Sequence, residues 1–150
     1  MSDFKNVNLQ VARFALKSVK EILEYDIELE SDNKDKQKLI SKKYKTVSKK
    51  MTILIQKNGL IGTLVFVLSK ANKEKSHEFI LKHIRSWCKE DFKLEFLRDK
   101  LKFCDNQSFI ESITTISNQE YRLVTKEIMN LFGWIKRFAD GMIEGDEQDD

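Results

Sequence analysis

The 150-residue sequence contains no proline, five glycines, two cysteines and two histidines. β-Sandwiches and β-barrels need many tight turns, which are built largely from glycine and proline. The near-absence of these residues nearly excludes such folds, and we expect an all-α, compact, single-domain bundle of about five to seven helices. The two cysteines, Cys88 and Cys104, lie in apolar helical contexts, so we expect buried, reduced thiols.

The sequence also lacks a long uncharged apolar run. Charged residues interrupt the first twenty positions, so a secretion signal is not expected. The longest uncharged stretch, residues 58–69, has twelve residues, whereas roughly 20 are needed to span a bilayer. We therefore expect a cytoplasmic protein without membrane contact.

Candidate catalytic and metal-binding groups are few. His77, His83 and Cys88 fall on one predicted helix, but their separations of six and five residues put them on different faces. Two zinc ligands on a helix are usually four residues apart. No phosphate-binding glycine loop and no pair of carboxylates stands out. We predict a protein that is not an enzyme and has no metal or cofactor. An enzyme that uses His77 or His83 is the distant alternative.

Apolar residues at helical spacing predict several helices. The first should fray after Tyr25, and Ser31 or Asp32 should cap the second, which should stop at Gly59. Ser117 and Glu120 form a capping box that begins the last helix. The segment after Gly59 is apolar on nearly every side, so we expect it to be enclosed in the core. The predicted helical segments are approximately 4–23, 32–58, 60–71, 73–90 and 117–141, with two short pieces between 92 and 116.

Charge is distributed unevenly along the chain. From Glu24 to Asp35 there are six acids and one base, whereas residues 36–57 contain eight lysines and no acid. The last thirteen residues carry six acids and no base, which is typical of a solvated end. We expect one helical domain over residues 1–143 and an acidic, disordered tail over 144–150.

The lysines of the second predicted helix lie away from its apolar face. With Ile40 as the reference on a helical wheel, the apolar positions through Ile55 share one face. Four lysines lie opposite that face and three flank it: Lys38, Lys42, Lys45 and Lys49, and then Lys43, Lys50 and Lys57. A solvated face usually interleaves acids with bases, because like charges four residues apart repel. The pattern favours binding of a nucleic-acid backbone over a plain solvated surface.

A sparser basic face is predicted on the last helix, where Arg122, Lys126 and Arg137 lie on one side together with Gly133. That glycine is most simply a tolerated surface residue. The tryptophans, Trp87 and Trp134, lie at the edges of apolar seams and are interpreted as core residues rather than as platforms for base stacking.

Two segments resemble a known family. They are KKYKTVSKKMTILIQKNGLIGTLVFVL, residues 42–68, and EYRLVTKEIMNLFGWIKRFA, residues 120–139. They resemble the small subunit of the type III-B CRISPR effector complex, the helical Cmr small-subunit family. The shared features are a basic helix with Tyr44, the Asn-Gly-Leu turn at Gly59, the Glu-Tyr-Arg start at Glu120 and the stretch from Trp134 to Ala139. Many members have proline where this chain has Thr52, so the resemblance leaves the bend of that helix open.

The resemblance implies a compact helical subunit without a nuclease site of its own. Its implied partners are CRISPR guide RNA and target RNA, the backbone and large subunits of the complex, and further copies of itself. Such binding would depend on phosphates and duplex shape, because guide pairing supplies the specificity. A helical protein-interaction adaptor with no direct nucleic-acid role is the alternative.

Overall fold

The computed structural model describes residues 2–32 and 40–145, with side chains from residue 9 to 28 in the first helix and from residue 40 onward. These residues form a compact all-α bundle without a strand, which confirms the predicted fold class. The elements are α1 (Ser2–Asp32), α2 (Ile40–Ala71), α3 (Lys75–Glu90), a 3-10 helix (Phe92–Leu97), α4 (Asn106–Ile113) and α5 (Asn118–Met142). The division into a domain ending at 143 and a tail stays a prediction, since residues 146–150 lie outside the described part.

Helix α2 reverses direction at Gly59, which has φ of 76° and ψ of 167°. A positive φ at this position favours glycine, because a Cβ atom would strain the backbone there. The phenol oxygen of Tyr121 accepts a hydrogen bond from the Ile61 N–H at 3.0 Å, so one of the first amides after the break is satisfied. The predicted stop at Gly59 is confirmed, and α2 consists of a first arm, residues 40–58, and a second arm, residues 60–71.

The two arms lie beside each other and enclose a groove. Lys43, near the beginning of the first arm, forms a 3.1 Å ion pair with Glu74, which follows the end of the second arm. By overall length and composition α2 is apolar enough to cross a membrane, a property that it shares with core helices of soluble proteins. The reversal at Gly59 interrupts that length, and the second arm, residues 60–71, is well short of the roughly 20 residues of a membrane span.

Helix α5 runs antiparallel to the first arm. Tyr121, near its beginning, contacts Ile61 beside the reversal, and the carbonyl of Ile143, just beyond its end, accepts a hydrogen bond from Lys45 at 2.9 Å. Helix α1 packs mainly against α5, and α3 packs mainly against α2. The core between them is filled by large buried side chains, among them Trp87, Phe109 and Phe132.

The helix ends show one confirmed and one wrong prediction. Ser117 and Glu120 form the predicted capping box, with both hydrogen bonds at 3.1 and 2.9 Å. The predicted loop after Tyr25 is wrong, because α1 continues to Asp32. The carboxylate of Asp26, inside α1, instead accepts hydrogen bonds from the Ile40 and Ser41 N–H groups at 2.9 and 3.1 Å. The first described amides of α2 are therefore capped from another helix. Ser31 and Asp32, which were predicted to cap the second helix, belong to the end of α1, and residues 33–39 lie outside the described part.

Two expectations about burial are also wrong. The second arm of α2 is not enclosed on all sides, since Val65 and Phe66 are 49% and 47% exposed. Cys104 is exposed in the segment before α4, where its thiol lies 3.4 Å from Asp105 Oδ2. Cys88 is fully buried, as expected.

Candidate nucleic-acid interface

The first arm of α2 buries a face that is rotated from the predicted one. Its buried positions include Ser41, Tyr44, Ser48, Met51 and Ile55. At 100° per residue, the centre of this face is displaced by about 60° from the centre of the predicted apolar face. The displacement was not predicted because Ser41 and Ser48 are buried, and serines do not contribute to an apolar pattern.

The rotation changes which lysines are available to a partner. Lys42, Lys50 and Lys57 are exposed. They are spaced eight and seven residues apart, so they repeat about every two helical turns along roughly 22 Å of helix. Lys38 lies outside the described residues.

Lys45 does not point away from the core, contrary to the sequence prediction. It is 6% exposed, and its ammonium group donates hydrogen bonds to the carbonyls of Ile143 and Gly145 at 2.9 and 3.3 Å. Carbonyls at a helix C-terminus carry partial negative charge, so a cation placed there is stabilising. Lys45 is therefore part of the packing between α2 and the end of α5.

Two other lysines of the first arm meet acids from outside that arm. Lys49 lies 3.4 Å from Asp140 of α5, and Lys43 pairs with Glu74 as described above. The absence of acids from residues 36–57 therefore does not mean that the folded surface around α2 lacks them. The helical wheel could not show this, because it places only residues of the same helix.

The predicted basic side of α5 faces outward. Arg122, Lys126 and Arg137 are all exposed, and the Arg137 guanidinium lies 4.9 Å from the centroid of the Trp134 ring. No atom lies within 4 Å of a Cβ atom built at Gly133, apart from its own helical surroundings. This side of α5 is thus open to an approaching polymer or protein.

The structure brings the two basic helices together at one end. Asp140 is one helical turn beyond Arg137, and it contacts Lys49 of the first arm. At the other end, Arg122 follows Tyr121, which contacts Ile61 beside the reversal of α2. The basic residues of α2 and α5 therefore lie on neighbouring antiparallel helices rather than at remote sites.

His83 is enclosed in a hydrogen-bonded chain that links three helices. Its Nδ1 atom lies 2.8 Å from the Tyr44 hydroxyl and its Nε2 atom lies 2.7 Å from Glu21 Oε1. Lys82 pairs with the other Glu21 oxygen at 2.6 Å. Burial lowers the pKa of His83, and the hydrogen bond from His83 holds the pKa of Glu21 at about 2. A neutral ring that donates from Nε2 and accepts at Nδ1 satisfies every partner, so this arrangement is structural.

A buried pair of carboxyl groups was not recognised in the sequence. Asp91 and Glu127 are 1% and 2% exposed. Asp91 Oδ1 accepts a hydrogen bond from the Lys93 N–H at 3.0 Å, while Oδ2 meets no hydrogen-bond donor among the described residues. Burial, and then the adjacent Glu127, raise the pKa of Asp91 to about 7. A proton shared between the two groups satisfies the unpartnered oxygen.

Metal ligands do not converge in the described ranges. Within residues 2–32 and 40–145 there is no group of three or more histidine, cysteine, aspartate or glutamate side chains placed to hold a metal ion. His77 is engaged locally, with Nδ1 lying 3.0 Å from Glu74 Oε2. His77, His83 and Cys88 therefore do not form one metal site.

The groove between the arms of α2 was missed by the sequence analysis. It contains Phe66 and Lys70, whose ammonium group lies 5.3 Å from the centroid of the phenylalanine ring. The four-residue spacing of this pair in the second arm was the available signal. It was overlooked because the arm was expected to lie inside the core.

A comparison with protein families identifies the chain. Residues 7–142 match the model of the family described as CRISPR-associated protein (Cas_Cmr5). The match includes both arms of α2 and the whole of α5, the elements that carry the basic residues and the two motifs noted in the sequence. The chain therefore belongs to the Cas_Cmr5 family and is a subunit of the type III-B CRISPR Cmr effector complex.

Proposed function

We propose that the chain is a non-catalytic, RNA-binding structural subunit of the Cmr complex, and that it contacts guide and target RNA through the exposed basic residues of α2 and α5. The observation that carries the proposal is the outward-facing row of Lys42, Lys50 and Lys57, beside the basic side of α5. Phosphate contacts of this kind provide affinity without base specificity. The proposed location is the cytoplasm.

The structure revises the RNA-binding residues predicted on α2. Lys45 is excluded, because its ammonium group is buried against the end of α5. Lys49 is given a secondary role beside Asp140. The proposed contacts on α5 remain Arg122, Lys126 and Arg137, which are exposed but more widely spaced.

A second surface supports contacts with protein subunits. Phe92 and Phe96 of the 3-10 helix are 48% and 61% exposed, and two exposed aromatic rings four residues apart are typical of protein interfaces. We propose that this surface meets a neighbouring subunit of the complex or another copy of the chain. The same surface favours the alternative function, a protein-interaction adaptor whose basic residues bind acidic protein surfaces.

The test is a triple charge reversal, Lys42→Glu, Lys50→Glu and Lys57→Glu, measured by RNA binding at several salt concentrations. Losing three phosphate contacts should reduce the logarithmic salt slope by about two, given roughly 0.7 per contact with a single strand. The matched control reverses Lys20, Lys89 and Lys102, which are also exposed, and thus produces the same change in net charge.

The two functions predict different outcomes. RNA-binding function requires loss of affinity and salt slope in the α2 variant but not in the control, with circular dichroism unchanged in both. Unchanged RNA affinity and slope in the α2 variant would contradict the proposal. If that variant also fails to enter the reconstituted Cmr complex, the basic row of α2 is a protein-docking surface and the adaptor function is correct.

A further inference from the structure

The groove between the two arms of α2 combines apolar and cationic side chains. It has a volume of about 350 Å³ and is closed at one side by the beginning of α3. Ligand-binding clefts in proteins have volumes from about 300 Å³ upward. The side chains that give the groove its character are Val47, Leu54 and Phe66, which are apolar, and Lys43, Lys50 and Lys70, which are cationic.

We propose that this groove holds one unpaired nucleotide of RNA, with its base stacked on Phe66 and its phosphates beside Lys50 and Lys70. The inference rests on the proposed RNA-binding function and assigns part of it to a defined site. Proteins that bind single strands combine an aromatic ring for the base with cations for the backbone. The exposed basic residues of α2 and α5 would contact the rest of the RNA backbone.

Phe66 offers the aromatic surface that stacking requires. The residue is 47% exposed, although phenylalanine is a common core residue. The Lys70 ammonium group lies over its ring, 5.3 Å from the centroid. The cation is attracted to the face of the ring that it covers. A base would stack on the exposed part of the ring that Lys70 leaves uncovered, with Lys70 near enough to neutralise its phosphate.

Glu74 is the one acid among the described residues that line the groove, and it does not oppose an anionic ligand strongly. Glu74 is bonded to Lys43 at 3.1 Å and to His77 Nδ1 at 3.0 Å. Partial burial opposes its ionisation, but Lys43 and His77 outweigh that effect and hold its pKa below the ordinary value. Its negative charge is therefore already balanced within the wall of the groove.

The polar groups of the groove are engaged in the protein, so they cannot easily read a base. The Thr46 hydroxyl donates to the Lys42 carbonyl at 3.0 Å, and His77 is 4% exposed and paired with Glu74. Sequence recognition needs donors and acceptors directed at base edges. Binding in this groove is therefore expected to be tolerant of sequence, as stacking is for any base.

The experiment compares Phe66→Leu with Ile27→Ala in the full chain, using fluorescent oligouridylate, oligoadenylate and an RNA duplex. Ile27 is a suitable control because it is also an exposed apolar residue, 65% exposed, but lies on α1. We expect Phe66→Leu to weaken binding of both single strands by about 5-fold to 100-fold and to leave duplex binding within about two-fold. Phe66→Trp should retain single-strand binding, and Ile27→Ala should leave all three affinities unchanged.

Three results would overturn the assignment of the groove alone. The first is wild-type affinity of Phe66→Leu for both single strands, and the second is an equal loss for single strands and duplex. The third is Phe66-dependent binding of an oligoglutamate peptide with RNA binding unaffected, which would assign the groove to an acidic peptide. If the isolated wild-type chain does not bind RNA, and the reconstituted complex binds RNA equally well without it, the proposed function itself fails together with the groove.

Discussion

Replacing Glu127 by glutamine should stabilise the protein at pH 8 and have little effect at pH 5. The reason is the buried carboxyl pair that Glu127 forms with Asp91. The pKa of Asp91 is raised from its ordinary 3.8 to about 7, so between these pH values the folded chain holds a proton that the unfolded chain has released. Stability contributed by that proton is fully present below pH 3.8 and is lost as the pH rises from 3.8 through about 7.

The size of the effect follows from the pKa. Each pH unit between 3.8 and about 7 corresponds to about 1.4 kcal/mol, which gives an upper limit of about 4 kcal/mol lost when Asp91 ionises. Burial is the larger cause of the raised pKa and is still present in the variant, so we expect Glu127→Gln to recover about half. The glutamine amide can donate to the unpartnered Asp91 oxygen. Loss of the 3.6 Å contact with Lys93 should cost at most about 1 kcal/mol.

The assay is thermal and chemical unfolding of wild type and variant from pH 5 to pH 8. A net gain of about 1 to 2 kcal/mol at pH 8 should raise Tm by roughly 2 to 8 °C for a domain of this size. The difference between the two proteins is the informative quantity, since the lowered pKa of His77 and of His83 makes stability rise with pH in both. Glu95→Gln, on the exposed side of the 3-10 helix, is the control. A difference between wild type and Glu127→Gln that does not change with pH would refute the shared proton.

Two further predictions concern buried groups. Tyr44→Phe should lower the free energy of unfolding by about 1 to 3 kcal/mol, because it leaves His83 Nδ1 buried without its 2.8 Å partner. Tyr25→Phe is the control. Equal urea midpoints for the two variants would contradict the structural role of the hydrogen bonds around His83. In the native protein, a thiol reagent should modify the exposed Cys104 and spare Cys88, because burial raises the pKa of the Cys88 thiol. Mass spectrometry of the labelled peptides measures both sites. Comparable labelling of both cysteines would be incompatible with the described core.

The helices that were predicted well are those whose signals are local. The capping box at Ser117 and the glycine stop at Gly59 each depend on residues within one turn of the helix end. The two short pieces between 92 and 116 were also predicted, and they correspond to the 3-10 helix and α4. Signals of this kind are complete in the sequence because their partners are sequence neighbours.

The errors involve partners that are remote in the sequence. Asp26 caps α2 from inside α1, so no residue adjacent to Ile40 could reveal the cap. Lys45 was assigned to the solvent because lysine is charged, yet the end of α5 provides carbonyls that hold its ammonium group. The Asp91 and Glu127 pair likewise joins the residue between α3 and the 3-10 helix to a residue of α5. Periodicity within one helix contains no information about such groups.

The packing of α1 against α5 has a consequence for synthesis of the protein on the ribosome. The apolar residues of α1 that end up buried include Val11, Ala15, Val19 and Ile22, and the helix that they mainly meet is the last one in the chain. The arms of α2 and the helix α3 can associate as soon as they emerge, because they are close in sequence. The part of α1 that packs against α5 must instead stay uncovered until α5 has been translated. Nascent chains that stall before residue 118 should therefore be the forms that chaperones retain and proteases remove.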